Sequence, residues 1–267
     1  MTIKNISEIQ NPHMVKMKPV KEKQDIYIPD IVDVNISRRN GMIYCLTGSG
    51  GSGKSSLLLN MFKSKNMYRN KFNNIYYFCP ASSFQSVMHH PFEKHDKVYH
   101  ELTVNHLESI YQELCLIKEE ATKEKEKKEK IDAYGDENND SESEEKEIEY
   151  SCIIIDDFAN NLKDKLLIKQ LNKMIIKARH ICCAFIFTVQ SYYLLDKIIR
   201  KQLTYTTIFQ PKNIEEWNSI AKELMNMNKD DALTLYNYVF DAPYNHIDID
   251  LVLNKYYKNF NLLEIKS

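Results

Sequence analysis

Residues Gly48 to Ser56 read GSGGSGKSS, and no other stretch limits so tightly what this chain can become. The chain has 6 glycines, and five of them (Gly41, Gly48, Gly50, Gly51 and Gly53) fall within thirteen residues. Glycine is used where backbone turns sharply or approaches a ligand closely, because it has no Cβ to clash. Gly48 to Ser55 satisfy G-x-x-x-x-G-K-[ST], with an apolar run, Met42 to Leu46, before them and a stretch of helical spacing, SSLLLNMFKS, after them. A strand, a glycine loop and a helix in that order form the phosphate-binding loop. Gly48, Ser49, Gly50, Gly51, Ser52, Gly53, Lys54, Ser55 and Ser56 are therefore the expected nucleotide-binding residues. Backbone N–H groups and the helix N-terminus face the phosphates. Lys54 reaches the β- and γ-phosphates, and Ser55 holds Mg²⁺.

Binding is not hydrolysis, and a second element is needed. CIIIDDF places Asp156 and Asp157 at the carboxyl end of an apolar strand, where ligands of open α/β sheets collect. Such a pair also serves as an ordinary turn or helix cap. Behind a phosphate loop it reads as a Mg²⁺ carboxylate, Asp156, followed by a base for the attacking water, Asp157. Gln190 ends a further apolar strand, FIFTVQ, and an amide there orients water or senses the γ-phosphate. Arg179 and Arg200 are the candidates for the positive charge that phosphoryl transfer favours.

Apolar runs alternating with helical stretches indicate a mostly parallel sheet flanked by helices. Strands are expected at Met42 to Leu46, Ile75 to Cys79, SCIIIDD, CCAFIFTVQ and TYTTIFQ, and NHIDIDLVLNKYYKNF alternates like an edge hairpin. The stretch NLKDKLLIKQLNKMIIKARH reads as one amphipathic helix, and Asn213 as a cap with Glu216 reaching back. Residues 1–38, with Pro12, Pro19 and Pro29, read as an extended arm, and residues 39–267 as the catalytic domain. The domain is interrupted at about 121–149 by a charged insert. Residues 118–149 hold 14 acidic groups and 7 lysines, a local net charge of −7 that leaves +6 on the rest. Its first half is expected to prolong a helix and its second half to be disordered.

Several signals carry less. NKDD (Asn228 to Asp231) and DAYG (Asp132 to Gly135) match GTPase patterns, but neither follows an apolar strand. The histidines between His89 and His106 have no zinc spacing. The 6 cysteines form no CxxC pair and read as core residues of a reducing compartment. No signal peptide is legible, and the longest apolar run, ICCAFIFTV, is too short for a bilayer, so no membrane insertion is expected.

GSGGSGKSS, IIIDDF, ARHICCAFIFTVQSYY and RKQLTYTTIFQPKNIEEWNSIAKEL together resemble the genome-packaging ATPases of nucleocytoplasmic large DNA viruses and virophages. These form the poxvirus-type branch of the FtsK-HerA superfamily. The likeness runs from about Gly41 to the C-terminus. It implies a RecA-like P-loop core, Mg-dependent ATP hydrolysis and a homo-oligomeric ring, pentamer or hexamer. It further implies translocation of double-stranded DNA into a capsid through a portal-like vertex, and residence in the host cytoplasm or the virion. It also implies Asp156 and Asp157 as Mg²⁺ and catalytic acids, Gln190 as sensor, and Arg179, with Arg200 second, as a finger across a subunit boundary. Many relatives carry glutamate where this chain has Asp157. A P-loop kinase would need an arginine-bearing lid, of which the sequence shows no cluster, and a non-motor ATP switch would bind without DNA-stimulated turnover.

Overall fold

The computed structural model describes residues 41–134, 149–158 and 161–265. The arm at 1–38 and the acidic half of the insert, 135–148, lie outside these residues. Strand β1 (Ile43–Thr47) leads through the glycine loop into α1 (Lys54–Lys63). After it come β2 (Asn74–Phe78), the short α2 (Ala81–Gln85), a two-residue β3 (Val98–Tyr99) and α3 (Val104–Tyr134). Strand β4 (Ser151–Ile155), which Asp156 and Asp157 follow, precedes α4 (Lys165–Ile176), β5 (Cys183–Val189), α5 (Lys197–Arg200) and β6 (Tyr205–Phe209). Helices α6 (Ile214–Met225) and α7 (Lys229–Val239) lead to the closing strands β7 (His246–Asp250), β8 (Lys255–Lys258) and β9 (Asn261–Leu262).

The nine strands among the described residues form one sheet in the order β3-β2-β4-β5-β1-β6-β7-β8-β9. The first six are parallel, and β7, β8 and β9 follow β6, each antiparallel to the strand before it. The expected five strands and the C-terminal hairpin are present. Strands β3 and β9 were not legible because two residues carry no period. Continuous apolar runs form the central strands because both faces are covered. Alternate residues divide between the layers: Ile43 and Cys45 join the core under α3, α4, α6 and α7, while Met42, Tyr44 and Leu46 join the core under α1.

Two local expectations are corrected. The amphipathic stretch is not one helix, because the side chain of Asp164 accepts from the amides of Leu166 and Leu167 and starts α4 there, after a 3₁₀ turn at Asn161–Lys163. Asn213 does cap α6 through the Glu215 amide, but Glu216 accepts the hydroxyl of Ser191 instead of closing a capping box. The charged run after Leu114 does prolong α3, to a length of ~46 Å. Asn228 caps α7 by accepting from the Asp230 and Asp231 amides, a structural use for NKDD. Five cysteines are buried and Cys115 is partly so. Among the described residues no helix is long and apolar enough to cross a membrane.

Asp248 on β7 is fully buried and accepts from the Thr207 hydroxyl and, at 2.9 Å, the Phe260 amide. Burial pushes its carboxyl up to about 8. An acid raised in the folded state stabilises fully below its unfolded value near 4, and that contribution is lost as pH rises toward 8. The slope is at most about 1.4 kcal/mol per pH unit. Asp248→Asn is therefore expected to gain in Tm relative to the parent across pH 4 to 8. A Tm difference that stays flat over that window would refute this account of Asp248.

Candidate active site

The loop after β1 lies where the strand order switches sides, with β5 on one side of β1 and β6, added later in the chain, on the other. Crevices at the carboxyl ends of such strands collect ligands. Gly53 precedes Lys54 with φ at 104°, a backbone that glycine adopts without penalty. A Cβ on Gly48 would stand 2.7 Å from Phe209 Cβ and 2.7 Å from Ser52 Oγ, so only glycine fits there. The Lys54 ammonium donates to the carbonyls of Gly48 (2.7 Å) and Ser49 (3.0 Å), curled over the loop. Burial pulls its pKa down, while the charges of Asp156 and Asp157 oppose that shift. The amides that open α1 have no intrahelical partners.

Ser55 Oγ donates to Asp156 Oδ1 at 3.3 Å, joining the loop to the acidic strand. Asp156 is 3% exposed, and Tyr77 donates to its Oδ2 at 2.9 Å while Thr188 donates to Oδ1. Burial raises its pKa, and the hydrogen bonds from Thr188, Tyr77 and Ser55 pull the other way. Asp157 is exposed and turns into the left-handed region, φ 62°, where its amide donates to Thr188 Oγ1 at 3.1 Å. Its carboxylate accepts from Ser83 Oγ at 3.2 Å and Gln190 Nε2 at 3.4 Å. Aspartate tolerates that backbone better than most residues do, a local reason for the shorter acid here.

Strand β5 lies between β4 and β1, so Gln190 stands between the acids and the loop. Lysine, acids and amide thus share one rim of the sheet. The arginines do not join them. Arg179 packs against Gly41 in the turn before β5, at the amino-terminal rim, one length of the seven-residue β5 (~23 Å) from the rim that holds Gln190. Arg200 donates to both Glu223 oxygens at 2.7 Å and to the Leu195 carbonyl at 3.2 Å, and lies over Tyr193. It is committed to holding α5 on α6.

Tyr77, Ser83 and Thr188 were missed as partners of the acids. Their only sequence signal was nearness to strand ends, shared by many other hydroxyls. His90 packs between Phe84 and Tyr77, with ring centroids 4.2 and 5.2 Å away, and so backs the tyrosine that holds Asp156. On the β6 side of the loop a cleft of about 640 Å³ is lined by Gly51, Gly53, Lys54, Ser55, Ser56, Leu57, Phe209, Tyr244 and His246. This wall too was unforeseen.

A family model described as Poxvirus A32 protein matches residues 36–254. A search of curated proteins finds no match. Among solved structures, B204, the DNA-packaging ATPase from Sulfolobus Turreted Icosahedral Virus, is 17% identical. It aligns over 85% of this chain and 99% of its own, with a TM-score of 0.54. The genome packaging NTPase B204 from Sulfolobus turreted icosahedral virus 2, in complex with ATP-gammaS, is 16% identical over 84% of this chain and 100% of its own, with a TM-score of 0.50. The pCW3 conjugation coupling protein TcpA with ATPgS is 12% identical over 81% of this chain and 58% of its own, with a TM-score of 0.52. At these identities the likeness is one of fold: a mostly parallel P-loop sheet with flanking helices.

Proposed function

This chain belongs to the poxvirus A32 protein family, and from that premise we propose that it is a Mg-dependent ATPase that drives viral double-stranded DNA into a capsid. The observation that carries the reading is the meeting of Ser55 and Asp156, 101 residues apart in sequence, at 3.3 Å. With Gln190 touching Asp157 beside them, binding and hydrolysis share one rim.

The donors near the loop suit a hard cation, since both Ser55 and Asp156 offer oxygen. Among the described residues no group of three or more His, Cys, Asp or Glu could hold a metal, so further ligands fall to phosphate and water. Ser55 and Asp156 would hold Mg²⁺, which supplies neutralisation of the charge that develops on the phosphate oxygens. The buried Ser52 hydroxyl has no hydrogen-bond partner among the described residues, which suits a loop that serves an anion. Lys54 needs to leave only the Gly48 and Ser49 carbonyls to meet the β- and γ-phosphates. Gln190 and Asp157 orient a water whose oxygen attacks the γ-phosphorus. The bond to the β-phosphate oxygen breaks, ADP departs, and the water proton passes to the Asp157 carboxylate.

Among the described residues no arginine lines the cleft, which tells against a kinase lid. Arg179, at the far rim, could serve only a neighbour's nucleotide, so the reading requires a ring of identical subunits. Titrating Arg179→Ala subunits into wild type is expected to lower ATPase activity faster than the variant's fraction rises. Strictly proportional loss would remove the shared arginine. Duplex DNA is expected to raise ATP hydrolysis and to favour closed rings in particle-mass measurements. A rate indifferent to duplex DNA at every protein concentration would overturn the motor.

A further inference from the structure

We propose that the cleft between the start of α1 and the turn before β7 is the nucleoside subsite, with the purine base stacked on Tyr244 and edged by Phe209. The inference rests on reading the loop as the triphosphate site. The acids of β4 and the amide of β5 lie on one flank of β1, so the γ-phosphate must point there. A nucleotide extended along the loop then presents its nucleoside to the other flank, that of β6 and β7, where the cleft opens. The aromatic wall reaches the loop itself: a Cβ on Gly53 would stand 3.3 Å from Phe209 Cε1 and 3.4 Å from Tyr244 Cδ1.

Tyr244 is 71% exposed and sits at φ 66°, a left-handed backbone that a bulky residue adopts at a cost. The turn that holds it is pinned. Asn245 donates to the Ala242 carbonyl at 3.3 Å, and its side-chain oxygen accepts from Asn259 Nδ2 at 2.7 Å. An exposed ring held this firmly beside a phosphate loop is ready to stack. Phe209 is fixed from behind by His246, 5.1 Å between centroids, which in turn lies 5.1 Å from Phe260. Burial lowers the His246 pKa to about 4, so the imidazole backs the wall as a neutral ring.

Among the described residues that line the cleft there is no carboxylate or amide side chain. Recognition by face rather than by edge distinguishes large bases from small ones and tolerates either purine. ATP and GTP are therefore expected to bind within about tenfold of each other, with CTP and UTP weaker.

The test measures Kd by calorimetry for ATPγS and for inorganic tripolyphosphate, on the full chain. Tyr244→Ala is expected to weaken ATPγS about tenfold or more and to leave tripolyphosphate unchanged, while Tyr244→Phe keeps both affinities. Lys54→Ala should weaken both ligands. If Tyr244→Ala binds ATPγS like the parent while Lys54→Ala does not, the subsite is overturned and the loop reading stands. If Lys54→Ala binds tripolyphosphate as tightly as the parent, the loop reading itself fails. The exposure of Tyr244 leaves the core untouched, and an unchanged Tm verifies that the loss is local.

Discussion

Asp157→Asn is expected to bind ATP with nearly parental affinity and to hydrolyse it roughly a thousandfold more slowly, within the range for removal of a general base. The substitution changes little else. Asparagine is isosteric and accepts the left-handed backbone at this position, φ 62°, as readily as aspartate. Its side-chain oxygen can still accept from Gln190 or Ser83, and the residue is exposed, so folding is unaffected. What disappears is a carboxylate able to take the proton of the attacking water. Single-turnover hydrolysis beside an ATPγS titration separates the two steps. A rate within tenfold of the parent would take the base role away from Asp157 and leave the water to Gln190.

Lys54→Ala is expected to act earlier, removing binding and turnover together. Among the described residues its ammonium is the one cation lining the cleft, and hydrogen bonds to charged groups are worth about 1.5–3 kcal/mol each. Losing two of them toward the phosphates lowers ATPγS affinity by roughly a hundredfold or more. Alanine also leaves the Gly48 and Ser49 carbonyls without their donor, so Lys54→Arg is the useful companion. It keeps the charge and tests whether the compact ammonium is required. ATPγS binding by Lys54→Ala within threefold of the parent would overturn the reading of this loop as the triphosphate site.

Much of the fold was legible because its central strands are buried on both faces. The runs around Leu46, Ile154 and Ile186 are uninterruptedly apolar, and each ends on a residue that is not. The glycine loop was legible for a different reason: its chemistry lies in the backbone, and the backbone's needs are written directly in residue type. Elements that depend on distant partners were less so. Glu216 could not be placed at Ser191, nor Asp164 at the head of α4, because each depends on a competition between local hydrogen bonds.

By itself the sequence determined a phosphate loop, an acidic strand end and an amide strand end, since each is a short-range pattern of adjacent residues. Only the tertiary structure decided their order across the sheet, because strand pairing is a long-range choice that no local pattern encodes. That choice put β5 between loop and acids, placed Arg179 at the opposite rim and tied Arg200 to Glu223. It also brought Phe209, from one strand end, and Tyr244, from a turn 35 residues later, against Gly53. Neither aromatic residue is remarkable in sequence, and the wall they form exists because the chain adds β7 antiparallel to β6.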